Sequence, residues 1–279
     1  MTTTVNQPHA PARIDWASIL ARAAAIVESY DTGVTLRQLF YRLVAAALLP
    51  NTTSAYKGLS KVTAEARRAR AFPSLIDRTR SIHRFQSFED AAGARAWLSR
   101  IYRRDRTAGQ GVSLYLGVEK NGIVAQLEDW FSDLGVPIVA LGGYSSQSYV
   151  DEIRTDVAAQ DRPAILVYAG DFDASGKDID RDFLKRTACF DSVEQIALSA
   201  EQVRAYNLPA QAGKAKDSRA RAFTARYGAL VQVELDALPP DQLRALYQAA
   251  IDRHWDTSAY DAAVAGERED RRELAGGVA

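Results

Sequence analysis

Three acidic residues directly follow apolar segments that are typical of buried strands. Glu119 follows VSLYLGV, and Asp171 and Asp173 follow PAILVYAG. Ligands of parallel sheets bind beyond the carboxyl ends of the strands, so side chains at two such ends can meet. Two carboxylates at positions i and i+2 of extended backbone project to one side. Such a cluster favours an oxygen-preferring cation, Mg²⁺ or Mn²⁺, and hence phosphoryl chemistry on a nucleic acid.

Two other interpretations of these acids stay open. Acids at strand ends are often solvated loop residues or helix caps. The stretch from Asp171 to Asp182 also mimics an EF-hand calcium loop in its acids and its glycine. It follows a β-branched strand rather than a helix, however, and Asp178 stands where that motif usually has an apolar residue, which argues against calcium.

A tyrosine in the N-terminal part is a candidate nucleophile. One face of the helix expected after Thr35 is apolar and carries Leu36, Leu39, Phe40, Leu43 and Ala47. With a helical rotation of about 100° per residue, Tyr41 lies off that face. It comes four residues after Arg37, so these two side chains can touch. An arginine there can bind a phosphate, or lower the pKa of the tyrosine and favour its phenolate. The alternative is an ordinary half-buried tyrosine.

Three helices are predicted around this tyrosine, at about 16–30, 36–49 and 54–71, followed by the short extended segment FPSLIDRTR. The third helix carries basic residues predicted to contact DNA phosphate, unless they are only a solvated face: Lys57, Lys61, Arg67, Arg68 and Arg70. Three helices with a basic third helix and a β-like tail are typical of a winged helix-turn-helix. A further helix is predicted at 87–104, with RDRTAGQG as a linker.

From Gly111 onward, strand-like and helix-like segments alternate. The strands VSLYLGV, PIVALGG, PAILVYAG and EQIALS are separated by helical patterns, which indicates an α/β fold with a Rossmann-like parallel sheet. The rest is helical with one short strand, VQVEL. The predicted division is a flexible tail at 1–15, a winged-helix domain at 16–108, a parallel-sheet domain with a helical C-terminal extension at 109–265, and a frayed tail at 266–279.

The formal net charge is zero, with 35 basic and 35 acidic residues, but the charge is unevenly distributed. Residues 1–110 hold 17 basic and 8 acidic side chains, whereas residues 111–279 hold 18 and 27. The zero balance therefore does not argue against DNA; it predicts that DNA is bound by one face.

A single cysteine, Cys189, excludes a disulfide framework. Without a long apolar run or a signal-peptide pattern, we expect a cytoplasmic protein that does not bind membranes.

Several segments resemble the family of the topoisomerase VI A subunit and the meiotic double-strand-break transesterases. TLRQLFY, at residues 35–41, is similar to the family's Arg-x-x-(Phe/Tyr)-Tyr motif. GVEKNG and GDFDASG are similar to the motifs of its Toprim domain, and SAEQVRAYNLP is similar to the region after them. The motifs stand in the family's order. The resemblance covers about 35–240 and is to a short, stand-alone member of bacterial or phage type.

The resemblance implies a winged-helix (CAP-like) domain followed by a Toprim domain, with type IIB topoisomerase A-subunit-like activity. Tyr41 would attack duplex DNA to form a 5′-phosphotyrosyl link, and Arg37 would stabilise the scissile phosphate. Glu119, Asp171 and Asp173 would hold Mg²⁺ or Mn²⁺, and the metal together with an acid, for which Glu119 is the candidate, would serve the leaving 3′-oxygen. The family also implies a homodimer. The chain has no ATP-binding motif, so strand passage would need a separate GHKL-type ATPase subunit.

The chain departs from the family after PIVALGG. Where a Thr-Arg pair is usual, it has Tyr144-Ser145-Ser146-Gln147-Ser148, and no arginine occurs before Arg154.

Two further charged residues have two interpretations each. Lys120 can contact DNA phosphate or pair with a carboxylate. Glu234 is either a fourth acid near the sheet or an ordinary partnered or solvated carboxylate. Two alternative functions stay open: a Toprim-type hydrolytic nuclease, and a non-catalytic winged-helix DNA-binding protein.

Overall fold

The structure is a computed structural model that describes residues 14–30, 33–76, 85–142, 146–213 and 219–276, without the side chains of 175–180. The chain is of the α/β class, as predicted. It divides into two compact units, Met1–Ile76 and Asp77–Ala279. The division comes earlier in the chain than the boundary predicted after residue 108.

The first unit contains the three predicted helices, α1 (Trp16–Glu28), α2 (Leu36–Ala45) and α3 (Thr53–Arg68). Each begins at a polar residue whose side chain accepts a hydrogen bond from the first turn. At α2 the cap is reciprocal: Thr35 accepts from the backbone of Gln38, and the Gln38 side chain accepts from the backbone of Thr35. These caps explain why the helix starts could be predicted closely from the sequence.

The three helices pack against one another around leucines of α2 and α3. Gly58 of α3 allows a close approach to α1, because a Cβ at this position would lie 2.4 Å from Cζ2 of Trp16. A short parallel bridge joins Thr35 to Ile76, with the Ile76 N–H donating to the Val34 carbonyl at 3.0 Å. The rest of the predicted extended segment, residues 77–80, lies outside the described residues.

The second unit is built on a four-stranded parallel sheet. Its strands are β1 (Ser113–Val118), β2 (Ile138–Ala140), β3 (Ala164–Ala169) and β4 (Ser192–Ala197), in the order β2-β1-β3-β4. All four correspond to predicted strands. Every residue of β1 and β3 is buried, as expected for central strands covered by helices on both faces. The last residue of β1, Val118, is in register with the ends of β2 and β3, so these carboxyl ends lie at one edge.

Helices flank this sheet, and further short elements follow it. The helices between strands are α5 (Asn121–Phe131), α6 (Gln147–Ala158) and α7 (Ala174–Thr187). After β4 come α8 (Ala200–Ala205), β5 (Gln211–Ala212), α9 (Ala220–Tyr227), β6 (Val231–Gln232), a 3₁₀ turn (Leu235–Ala237) and α10 (Pro240–Asp252). The hydroxyl of Tyr247 on α10 donates to the Gly117 carbonyl at 2.6 Å, which ties α10 to the central strand.

Two helices near the ends of the described part of the second unit pack together. Helix α4 (Ala91–Ile101) packs against α11 (Thr257–Gly276), so α4 belongs to the second unit and the expected frayed tail is helical up to Gly276. Arg106, in the expected linker, is buried and binds Glu267 of α11 through two hydrogen bonds of 2.8 and 2.9 Å. This buried pair fixes both segments, and its long sequence separation hides it from local patterns.

Glu267→Gln is expected to destabilise the second unit by roughly 1 to 3 kcal/mol, because it leaves the buried Arg106 guanidinium with Asp133 as its remaining carboxylate partner. Glu267 is 1% exposed and also binds Arg271 at 2.9 Å. Denaturant unfolding at neutral pH measures the loss, with the exposed Glu273→Gln on the same helix as the matched control.

This loss should also depend on pH. The hydrogen bond from Arg106 holds the pKa of Glu267 below its ordinary value. A carboxyl group whose pKa is lower in the folded than in the unfolded protein stabilises the fold at pH values above its unfolded pKa. That stability is lost as the pH falls through the folded pKa. The difference between wild type and Glu267→Gln should therefore be full at neutral pH and shrink in acid. Equal stability of the two proteins at neutral pH would contradict this account.

Candidate functional site

The carboxyl ends of β1 and β3 bring Glu119 and Asp171 together. Oε2 of Glu119 accepts a hydrogen bond from the backbone N–H of Asp171 at 2.6 Å. Asp171 is buried, with 7% exposure, and Asp173 follows it as a half-buried residue immediately before α7. Gly142, after β2, completes this edge, because a Cβ there would lie 2.3 Å from the Glu119 carbonyl oxygen. The edge is therefore built for close backbone packing around the two acids.

Two more acids reach this edge from a distant part of the chain. The N–H and carbonyl of Phe172 pair with those of Val233 at 2.8 and 3.0 Å, which holds the segment after β6 against the Asp171 loop. Two residues after Val233, the backbone N–H of Leu235 donates a hydrogen bond to Oδ1 of Asp171 at 2.7 Å. Glu234 and Asp236 flank this contact. We call Glu119, Asp171, Glu234 and Asp236 the acidic cluster.

The ammonium group of Lys120 lies within the acidic cluster. Its Nζ is 2.9 Å from Glu234 Oε2 and 3.2 Å from both Asp171 Oδ1 and Asp236 Oδ2. The sequence allows two interpretations of Lys120, and in the structure its ammonium group pairs with carboxylates. Glu234 is a partnered carboxylate, as its second interpretation held, and it also lies beside the sheet. No local sequence pattern brings Asp236 to this site, because its proximity depends on the Phe172–Val233 pairing.

Burial and crowding oppose the charged form of Asp171. Burial raises its pKa well above the ordinary value, and the carboxylates of Glu119 and Glu234 raise it further, whereas Lys120 acts in the opposite direction. For Lys120, burial alone would lower the pKa, but the surrounding carboxylates, Asp171 first, outweigh it and hold the pKa above its ordinary value. A cation bound at Asp171 would therefore be stabilised electrostatically.

The donor types suit a hard divalent cation, because Glu119, Asp171 and Asp173 all offer carboxylate oxygens. Their arrangement is less complete: in the described part of the chain, no three or more Asp, Glu, His or Cys side chains form a group that could hold a metal ion. The Lys120 ammonium contacts Asp171 at 3.2 Å. The residues thus suit a divalent cation in the type of their donor atoms, and Lys120 already supplies a positive charge beside Asp171.

The candidate nucleophile differs from the sequence expectation. Tyr41 is 4% exposed, and its ring packs edge-on against Phe40 with centroids 5.5 Å apart. The expectation placed it off the apolar face, but α2 packs against both α1 and α3, so five of its ten residues are buried and they cover more than one face. Arg37 is exposed. Ala47, expected on the apolar face, lies beyond the helix end and is exposed.

The basic residues of the third helix face solvent. Those predicted to contact DNA are all exposed: Lys57, Lys61, Arg67 and Arg68 lie on α3, and Arg70 follows its end. The opposite side of α3 is buried through Ala55, Leu59 and Thr63. This face is accessible to a phosphate backbone. Of the stretch that departs from the family, Tyr144 and Ser145 lie outside the described residues, and Ser146 caps α6 by accepting from the Tyr149 N–H at 3.2 Å.

Comparison with models of protein families and with curated proteins gives no match to this chain. Among the helices in the described ranges, none is long and apolar enough to cross a membrane. The functional assignment therefore depends on the motifs and on the geometry of the second unit.

Proposed function

We propose that the protein is a divalent-metal-dependent, DNA-cleaving transesterase of the type IIB topoisomerase A-subunit kind, with a winged-helix first unit and a Toprim second unit. The observation that carries the proposal is the contact between Glu119 and Asp171 at the adjacent carboxyl ends of β1 and β3. That edge is where parallel α/β sheets bind ligands, and Asp171 is crowded enough there to favour a bound cation.

Glu119, Asp171 and Asp173 would hold Mg²⁺ or Mn²⁺, with Glu119 also available as the catalytic acid. When bound, such a metal would supply Lewis-acid stabilisation of phosphate oxygens. Lys120 would move from the acidic cluster toward DNA phosphate, or stay and keep Asp171 oriented. The buried position of Asp171, supported by the Leu235 N–H, gives the site a fixed anchor on the sheet.

The first unit would bring DNA and the nucleophile. The exposed basic side chains of α3 would contact phosphates, and Arg37 would stabilise the scissile phosphate. Tyr41 would form the 5′-phosphotyrosyl link, which requires its buried hydroxyl to become accessible when DNA binds. The resemblance adds a homodimer and a separate GHKL-type ATPase subunit to the proposal.

A hydrolytic Toprim-type nuclease is the second candidate, and the burial of Tyr41 favours it. In that mechanism water attacks the phosphorus and the acids of the sheet edge are needed, but Tyr41 is not. The two candidates are separated by the chemistry of the cut ends. Cleavage of end-labelled duplex DNA with Mg²⁺, stopped with denaturant, leaves protein on the 5′ ends in the first case and free 5′ phosphate or hydroxyl ends in the second.

Lys120→Met provides a test of metal binding that does not depend on activity. Without the ammonium, Asp171, Glu234 and Asp236 lose a cationic partner, so the variant should unfold more easily than wild type in EDTA. Mg²⁺ at a hundredfold excess over the variant's Kd should then stabilise the variant by about 2.7 kcal/mol relative to EDTA, and should stabilise wild type by less. Thermal and denaturant unfolding with and without Mg²⁺ measure both effects.

The matched control for this experiment is Lys185→Met, which removes an exposed ammonium from α7. Its response to Mg²⁺ should equal that of wild type. An equal Mg²⁺ effect in wild type, Lys120→Met and Lys185→Met would contradict a metal site that competes with Lys120.

A further inference from the structure

Two adjoining cavities lie beside α9 in the second unit. One, of about 330 Å³, is lined by α7 and α9 and begins at Ala174, the residue after Asp173. The other, of about 530 Å³, is lined by Phe172, the residues after β4 and the end of α9. They share Arg226 and Tyr227. Each cavity therefore has a lining residue, Phe172 or Ala174, in the chain segment that carries the two aspartates of the candidate site.

The smaller cavity is rich in arginine. Arg181, Arg219 and Arg226 line it, and its other described lining residues are Ala174, Ala222, Phe223 and Tyr227. The larger cavity adds Arg204, which contacts Glu201 at 3.7 Å. This concentration of arginine contrasts with residues 111–279 as a whole, which hold 18 basic and 27 acidic side chains. A local basic surface within an acidic region indicates an anionic ligand.

An aromatic cluster packs against Arg226, one of these arginines. The rings of Phe172, Phe223 and Tyr227 contact one another with centroid distances of 4.6 to 5.2 Å. The guanidinium of Arg226 lies over the Tyr227 ring at 5.4 Å from its centroid. Phe172 is itself held by its backbone pairing with Val233. The cluster thus joins α9, which carries Arg226, to the Asp171 loop through Phe172.

The spacing of the arginines suits the repeated phosphate groups of a polymer. Arg219 immediately precedes α9 and Arg226 lies near its end, so their backbones are roughly 10 Å apart along the helix axis. Neighbouring phosphates of a nucleic-acid strand can contact two guanidinium groups placed in this way. Arginine is also the side chain best suited to forked hydrogen bonding of phosphate oxygens.

We propose that Arg181, Arg219 and Arg226 form an arginine groove that binds the phosphodiester backbone of DNA beside the acidic cluster. The inference rests on the proposed function and deepens it, because it gives the acidic unit its own DNA contact. The groove positions the strand whose phosphate reaches Asp171 and Asp173. The arginines are positioning residues and take no part in bond making or breaking.

The double variant Arg219→Gln/Arg226→Gln tests the groove by DNA binding. Fluorescence anisotropy of a labelled duplex is measured with the full chain in EDTA, so that no cleavage occurs, at several salt concentrations. Each lost phosphate contact should weaken binding roughly tenfold near 0.1 M salt and reduce the slope of log K against log salt by about 0.9. The double variant should therefore lose about two units of slope. Arg244→Gln, an exposed arginine on α10 that lines neither cavity, should match wild type.

The outcomes separate this inference from the function on which it rests. If wild type binds and cleaves DNA while the double variant, folded to the same melting temperature, binds with unchanged affinity and slope, the groove is refuted and the proposed function stands. If wild type does not bind DNA, both are refuted. A reduced slope for the double variant alone supports the groove.

Discussion

Tyr41→Phe is expected to abolish the covalent protein–DNA adduct while leaving the fold intact. The variant keeps the ring that packs against Phe40 and removes only the hydroxyl, which the proposed function makes the nucleophile. Loss of a nucleophile typically lowers the rate by roughly 10⁴-fold or more. Labelled duplex DNA incubated with protein and Mg²⁺, then denatured and separated on a gel, shows the adduct as a band of reduced mobility.

Tyr56→Phe is the matched control, because Tyr56 also packs edge-on against Phe40, with ring centroids 5.3 Å apart. It should form the adduct at the wild-type level. Unchanged DNA cutting by Tyr41→Phe would exclude the transesterase mechanism and leave the hydrolytic nuclease as the surviving candidate.

The second large effect is expected for Asp171→Asn, which should reduce cleavage by about 10²- to 10³-fold in either mechanism. Asparagine retains an oxygen that can accept the Leu235 N–H, so the loop geometry should persist while the carboxylate is lost. The rate of plasmid or oligonucleotide cleavage at saturating Mg²⁺ measures the effect. DNA binding in EDTA should remain close to wild type.

An exposed aspartate on α10 supplies the control for this charge change, and Asp241→Asn should cleave at the wild-type rate. A fully active Asp171→Asn protein would show that the edge of the sheet carries no catalytic metal. Loss of activity in both variants would instead indicate a general sensitivity to removed negative charge.

The fold of the second unit could be predicted from the sequence because its signals are local. Short β-branched segments alternate with helical ones, and parallel strands place their carboxyl ends together. That rule alone was enough to expect Glu119 near Asp171. The start of α2 is equally accessible from the sequence, since Thr35 is a recognisable cap.

The remaining features depend on contacts between distant parts of the chain. Asp236 joins the site through the pairing of Phe172 with Val233, two residues that no local pattern relates. The burial of Tyr41 follows from packing of α2 against two helices, whereas the periodicity of one helix describes a single apolar face. The ordered C-terminal helix similarly depends on the buried Arg106–Glu267 pair.

The position of Lys120 changes the interpretation of the acidic cluster. From the sequence it was equally a DNA contact or a carboxylate partner, and in the structure it contacts three carboxylates. A lysine in this position compensates the negative charge of the cluster, and in the proposed function a divalent cation would compete with this ammonium for Asp171. The acidic half of the chain would approach phosphate through that cation and through the arginine groove.

The most direct measurement of the central claim is cleavage of supercoiled plasmid with Mg²⁺ or Mn²⁺, stopped with detergent and divided into samples with and without protease. Metal-dependent transesterification predicts linear DNA that enters the gel normally only after protease, and none with Tyr41→Phe or Asp171→Asn. Protein-free linear DNA, produced equally by wild type and Tyr41→Phe, would contradict the covalent mechanism. Absence of any metal-dependent cleavage by wild type would contradict the proposed enzyme altogether.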